Sequence, residues 1–138
     1  MSDNDMIAAN EYSEWSEKGL VTDGRRVTII TKKKNYAINE LVHIQHFSEA
    51  TIPGYKVYIM GPKAIFDEYI NGRLQGKSLK AKNQDPFIPT SYDGRVKESP
   101  AIDGNYQITS YIFSEPGVYE ICWQPGKWKS NILKIKVE

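Results

Sequence analysis

"SEPGVYEICWQPGKWKSNILKIKVE", residues 114–138, closes the chain, and its alternation decides the architecture. On an extended strand successive side chains point to opposite faces, so Tyr119, Ile121 and Trp123 share one face and Val118, Glu120 and Cys122 the other. The first set is the better core face, because Glu120 is costly to bury without a partner. The last segment sorts likewise, with Leu133, Ile135 and Val137 inward and Ile132, Lys134, Lys136 and Glu138 outward. Pro116-Gly117 and Pro125-Gly126 supply the reversals that make this a hairpin.

The same signals recur upstream. "RVTIIT" (26–31), "NELVHIQHF" (39–47), "KVYIM" (56–60) and "NYQITSYIF" (105–113) are rich in β-branched and aromatic residues and bounded by turn dipeptides such as Asp23-Gly24, Pro53-Gly54 and Asn71-Gly72. This spacing predicts an all-β chain, an antiparallel β-sandwich of seven or eight strands forming one domain over 25–138. Residues 1–24 read as a short irregular or helical N-terminal extension: Ile7, Glu11, Tyr12 and Trp15 fit helical spacing, while "YSEWSE" also alternates as a strand. The region 62–104 is expected to be irregular, with "KAIFDEYINGRL" as a helical turn or a hairpin about Asn71-Gly72. A long lysine-rich connection of this kind is where functional surface often sits.

With 138 residues, 40% of them hydrophobic, the chain is long enough to bury about two-thirds of its extended surface in one core. A formal charge of +1 gives no global attraction to nucleic acid or an acidic membrane, and "TKKKN" (31–35) reads as a solvated turn. The start, "MSDNDMIAAN", has no basic region followed by an apolar run, and no segment approaches a bilayer span. The expectation is a cytoplasmic protein, with a mature chain cut from an exported precursor as the alternative. A single cysteine excludes an internal disulfide and a closed all-cysteine zinc site.

"EPGVYEI" (115–121) resembles the penultimate strand of immunoglobulin-like sandwiches, where an acidic residue, a Gly or Ala and a Tyr alternate before a cysteine. The resemblance implies that Tyr119 is a corner residue tying its strand to the preceding loop. Ile121 stands where the disulfide cysteine would, so the implied relative is a disulfide-free immunoglobulin-like or fibronectin-like domain. "YAINELVHIQHF" with "SNILKIKV" also resembles bacterial and macroglobulin-type sandwich domains. The spacing of Tyr119 and Cys122 is similar to that ahead of a cupredoxin copper loop. A blue-copper centre needs two imidazoles and a thiolate, yet neither His nor Met follows Cys122, and His43 and His46, three apart on a strand, point to opposite faces. No metal or cofactor is therefore expected.

Catalytic motifs are absent: the sequence has no Gly-x-Ser-x-Gly, His-Glu-x-x-His or phosphate-binding glycine loop. "FDEY" (66–69) reads as a solvated acidic turn, Asp103-Gly104-Asn105 as a turn, the two histidines as packed or half-exposed rings, and Cys122 as an ordinary thiol on the outer or partly covered face. The expected function is a non-catalytic interaction or scaffolding module, binding another protein or a second copy through loops or a sheet face. Its alternatives are a carbohydrate-binding module, suggested by 12% aromatic residues, and a cupredoxin-related electron carrier. The candidate binding surface is Trp128 flanked by Lys127 and Lys129, with Tyr92 from the long connection. If Trp128 pairs with Trp123 across "QPGK", the odd-numbered face of the last strand requires a bulge near Lys129–Asn131; otherwise Trp128 points outward. It either covers the open end of the core or meets a partner.

Overall fold

Of the inward set of the closing hairpin, Ile121, Trp123, Leu133, Ile135 and Val137 are at most 2% exposed, as alternation requires, and Tyr119 packs partly buried against them. The computed structural model describes residues 15, 17–58, 63–76, 87, 96–104 and 106–138. All regular structure among them is β, and none of them forms a helix able to cross a membrane.

Two sheets face each other, consistent with a β-sandwich. In the first, β3 (Leu41–Ala50) pairs on one side with β1 (Arg25–Ile30) and on the other with two short strands in succession, β8 (Ala101–Asp103) and β9 (Thr109–Ile112). The second runs β2 (Asn35–Tyr36), β11 (Leu133–Val137), β10 (Gly117–Trp123), β5 (Glu68–Ile70), β6 (Arg73–Gln75). A separate ribbon joins β4 (Lys56–Tyr58) to β7 (Val96–Glu98). Val27, Ile29, Val42 and Ile44 from the first sheet meet Ile121, Trp123, Leu133 and Ile135 from the second in one core cluster.

Each of the six strands read from the sequence has a counterpart, but eleven strands lie among the described residues where seven or eight were expected. The five strands not read from the sequence are β2 and β5 to β8. The strand opposite β3 is broken, because the chain leaves the ladder at Gly104 and rejoins it at Thr109. The region 62–104, expected to be irregular, contributes β5, β6, β7 and β8. Of the two readings of "KAIFDEYINGRL" the hairpin holds: Asn71 (φ 51°) and Gly72 (φ 79°) both take the left-handed conformation that a two-residue hairpin turn demands. The pairing is also not wholly antiparallel, since β2 runs parallel to β11. Lys33 and Lys34 of the "TKKKN" turn are exposed and pair with Glu40 and Glu17.

β1 and β3 are covered on both faces. On the outer face Ile30 and Phe47 form a second cluster with Trp15 and Ile102. The N-terminal extension is held close there: Gly19 passes so near the Val27 carbonyl that an added Cβ would lie 1.9 Å from its oxygen, and its N–H donates to Thr28 Oγ1 at 3.2 Å. The register of the closing hairpin shifts by one residue. Ile121 opposes Leu133, whereas Trp123 exchanges its backbone N–H and carbonyl with Ser130 Oγ and Ser130 N–H, both at 2.8 Å. Three positions on the return strand therefore match two on β10, and the extra residue lies between Ser130 and Leu133. This offset frees Asn131 to reach across to the first sheet, where its carboxamide accepts from Ile29 N–H at 2.8 Å and donates to Ile29 C=O at 2.9 Å. A side chain thus stands in for a neighbouring strand at the β1 edge.

Asn131→Ala leaves both Ile29 groups unpaired and is expected to cost about 2 to 3 kcal/mol in urea denaturation. Gly19→Ala, which overpacks the same seam, is expected to cost about 1 to 3 kcal/mol. Lys134→Ala on the outer face serves as a control within about 0.5 kcal/mol.

Candidate functional site

The structure separates the residues of the sequence-derived surface. Trp128 is half-buried: its indole N–H donates to the Thr22 carbonyl at 2.9 Å, and its ring meets Phe87 edge-on at 4.7 Å between centroids. Lys127 lies over the Trp128 ring and pairs with Asp23. Arg25 extends the stack, its guanidinium 4.6 Å from the Phe87 ring and 4.1 Å from that of Tyr55. These aromatic and cationic groups close the end of the core upon one another. Lys129 instead opens onto the outer face of the second sheet, beside Cys122, Gln124 and Ile132. Tyr92 lies outside the described residues.

Several sequence readings are corrected in the interior. Cys122 lies on the outer face of its strand as expected, but it is buried there, with Gln124 Nε2 and Ser130 Oγ both directed at its sulfur. The "FDEY" acids do not form a solvated turn: Asp67 and Glu68 are both buried. Pairing with Trp123 of β10 turns Glu68 inward, onto the side of the strand that faces the core. Asp103, read as a turn residue, ends β8 and stands 2.7 Å from the buried Lys63 ammonium, which also lies 5.1 Å from the centre of the Tyr106 ring.

Glu68 is the centre of a closed polar cluster between the sheets. One carboxylate oxygen is 2.5 Å from His46 Nε2; the other accepts from Thr109 Oγ1 at 2.6 Å and from the Tyr111 hydroxyl. His46 and Glu68 side chains are 0% and 1% exposed, and the imidazole stands edge-on to Trp123 at 4.9 Å. Burial pushes the Glu68 carboxyl up, but the His46 charge and the bonds from His46, Thr109 and Tyr111 outweigh it and hold the group below its ordinary value. Tyr111 responds in the opposite sense: burial, then the Glu68 charge, raise its phenol well above the usual range. The hydroxyl is thereby kept as a donor. The cluster acts chemically as a clamp, with a fixed anion gripping two side chains of β9.

The upper side of Tyr111 faces a groove. Between β6 and β9 the sandwich is open, and Tyr111, Phe113, Tyr119 and Ile70 floor the opening. Phe113 and Tyr119 stack at 4.1 Å between ring centroids. Tyr119 OH donates to the Glu115 carbonyl at 2.8 Å, the contact that the resemblance assigned to a corner tyrosine. Asn71, Arg73 and Gln75 form one rim, and Ile112, 61% exposed, the other. Among the described residues no strand pairs with the outer edge of β9.

His43, on the outer face of the first sheet, bonds Ser110 Oγ at 2.8 Å. His46 lies inside and Cys122 on the far side of the second sheet, and no group of three metal-ligating side chains occurs among the described residues. Comparison with protein-family models, curated proteins and solved structures gives no match.

Glu68→Gln is expected to cost about 3 to 5 kcal/mol, because it breaks a buried ion pair from one side. Since the folded carboxyl titrates below the ordinary value near 4.5, its stabilisation is complete above that pH and is lost as pH falls through the folded value. Urea midpoints between pH 7 and pH 3 are expected to fall less steeply in Glu68→Gln than in the parent chain.

Proposed function

We propose that this chain is a non-catalytic interaction module of immunoglobulin-like arrangement that binds another protein through the groove between β6 and β9. The pairing order supports the fold half of this reading. β1–β3–β9 corresponds to the A–B–E side of such a sandwich, and β2–β11–β10–β5–β6 to an A′–G–F–C–C′ side with its parallel first pair. The Tyr119 contact with Glu115 supports it independently.

The functional half is carried by one observation: the outer edge of β9 is unpaired among the described residues and lies beside an aromatic-floored groove. An extended segment added to that edge gains backbone hydrogen bonds and lays alternate side chains on the floor. The exposed Leu41 and Ile112, partners across the β3–β9 ladder, add an apolar shoulder on the outer face. The acid–base groups of the clamp favour binding over catalysis. His46 and Glu68 are sealed from solvent and bonded to one another, and Glu68 raises the Tyr111 phenol rather than activating it as a nucleophile.

A carbohydrate ligand is the second reading, favoured by tyrosine rings set beside the Asn71 and Gln75 carboxamides. A displayed library of extended peptides, panned against the purified chain, is expected to yield binders that Ile112→Asp no longer captures while its circular dichroism is unchanged. Binders indifferent to Ile112→Asp would sink the groove as the site. Trp128→Ala is expected to lower stability without weakening capture, as befits a residue that seals the core end.

A further inference from the structure

We propose that the segment entering this groove carries an acidic side chain, and that Arg73 receives its carboxylate. The inference rests on the groove being a protein-binding site and adds the chemistry of its occupant.

Three observations carry it. Arg73 opposes Ile70 across the β5–β6 hairpin, so the two share a sheet face. Ile70 packs against the core cluster, which places Arg73 over the groove and leaves Leu74, paired with Tyr69, on the outer face. Second, Arg73 is exposed and makes no ion pair among the described residues, whereas Arg26, Lys33, Lys34, Lys127 and Lys136 each sit against a carboxylate. Third, among the described residues Arg73 is the single charged side chain lining the groove, and no acid lines it beside Arg73. The Glu68 carboxylate, which bonds the Tyr111 hydroxyl of the floor, is already engaged by His46, Thr109 and Tyr111.

The geometry of strand addition then specifies the contact. A segment paired to the outer edge of β9 lies about 4.8 Å from it, on the side toward β6, and every second side chain turns to the groove face. A carboxylate at one of those positions faces a guanidinium whose planar fork binds it through two hydrogen bonds. Apolar side chains two residues away rest on the rings of Tyr111 and Tyr119. A nucleic acid, whose successive phosphates call for several cations, does not suit a groove that presents one cation among the described residues.

The test uses the full chain and three labelled peptides of alternating valine and threonine that differ only in a central glutamate, glutamine or lysine. The glutamate peptide is expected to bind about tenfold more tightly than the glutamine peptide, with lysine weakest. The glutamate advantage is expected to shrink with added salt. Arg73→Gln is expected to level the first two, and Arg73→Glu to favour the lysine peptide; both changes lie at an exposed position on an edge strand. Equal binding of all three peptides, lost on Ile112→Asp, would overturn the acidic preference while leaving the groove in place. Failure of every peptide would overturn both readings, and capture of polygalacturonate in their stead, lost on Arg73→Gln, would assign the groove to an acidic sugar. A dimer that Ile112→Asp dissociates would assign it to a second copy and likewise overturn the proposal.

Discussion

A carboxylate enclosed between two sheets is tolerable only if its charge is met on every side, and Glu68 imposes that condition on this fold. Its strand, β5, belongs to the second sheet, while its partners His46, Thr109 and Tyr111 all belong to the first. The ion pair and hydrogen bonds therefore cross the core rather than run along one sheet. Apolar faces alone would leave two sheets free to slide; a buried anion whose partners occupy fixed register positions does not. Thr109 and Tyr111 stand opposite Ile44 and Val42, so fixing them also fixes where β9 rejoins the ladder after the break.

That break explains why a polar stripe is present at all. Between the pairing of Ser48 with Asp103 and that of Ile44 with Thr109, the middle of β3 has no ladder partner on this side, and His46 lies within the interval. Lys63 and Asp103 on one flank and Glu68 and Tyr111 on the other fill the gap with paired charges and donors. Trp123, edge-on to both His46 and Tyr106, roofs it from the second sheet.

Much of the frame was legible because alternation is a local signal. The faces of β10 and β11 and the opposite orientation of His43 and His46 follow from period two alone, and the hairpin about Asn71-Gly72 was one of the two readings that its turn dipeptide offered. The bulge was only half legible: it was one of two alternatives, placed near Lys129–Asn131 on the premise that Trp128 opposes Trp123, whereas Ser130 takes that place and the extra residue lies between it and Leu133. The clamp was not legible. Glu68 reads as a surface acid because its compensating residues lie 22, 41 and 43 positions away, and nothing near "FDEY" announces them. One signal was present in hindsight: a glutamate two residues before Ile70 in a strand ending at a tight turn shares its face, and that face is apolar. For Trp128 the sequence left two readings, a cover for the open end of the core or a contact for a partner, because Thr22 and Phe87, which engage it, are remote in sequence.

Edge strands of native sheets are ordinarily blunted, and this chain treats its edges unequally. The β1 edge is closed by the Asn131 carboxamide and by the passage of Gly19. β6 is three residues long and carries Arg73. β9 carries neither charge nor proline, and its outward Ile112 is more than half exposed. What keeps β9 in place is the clamp below it: Thr109 and Tyr111, alternate residues on its inner face, are both held by Glu68. A strand anchored from within needs no neighbour on its outer edge to remain extended. In the proposed mode of binding, an incoming segment would meet a strand that is already extended, and the cost of association would fall mainly on ordering the segment itself.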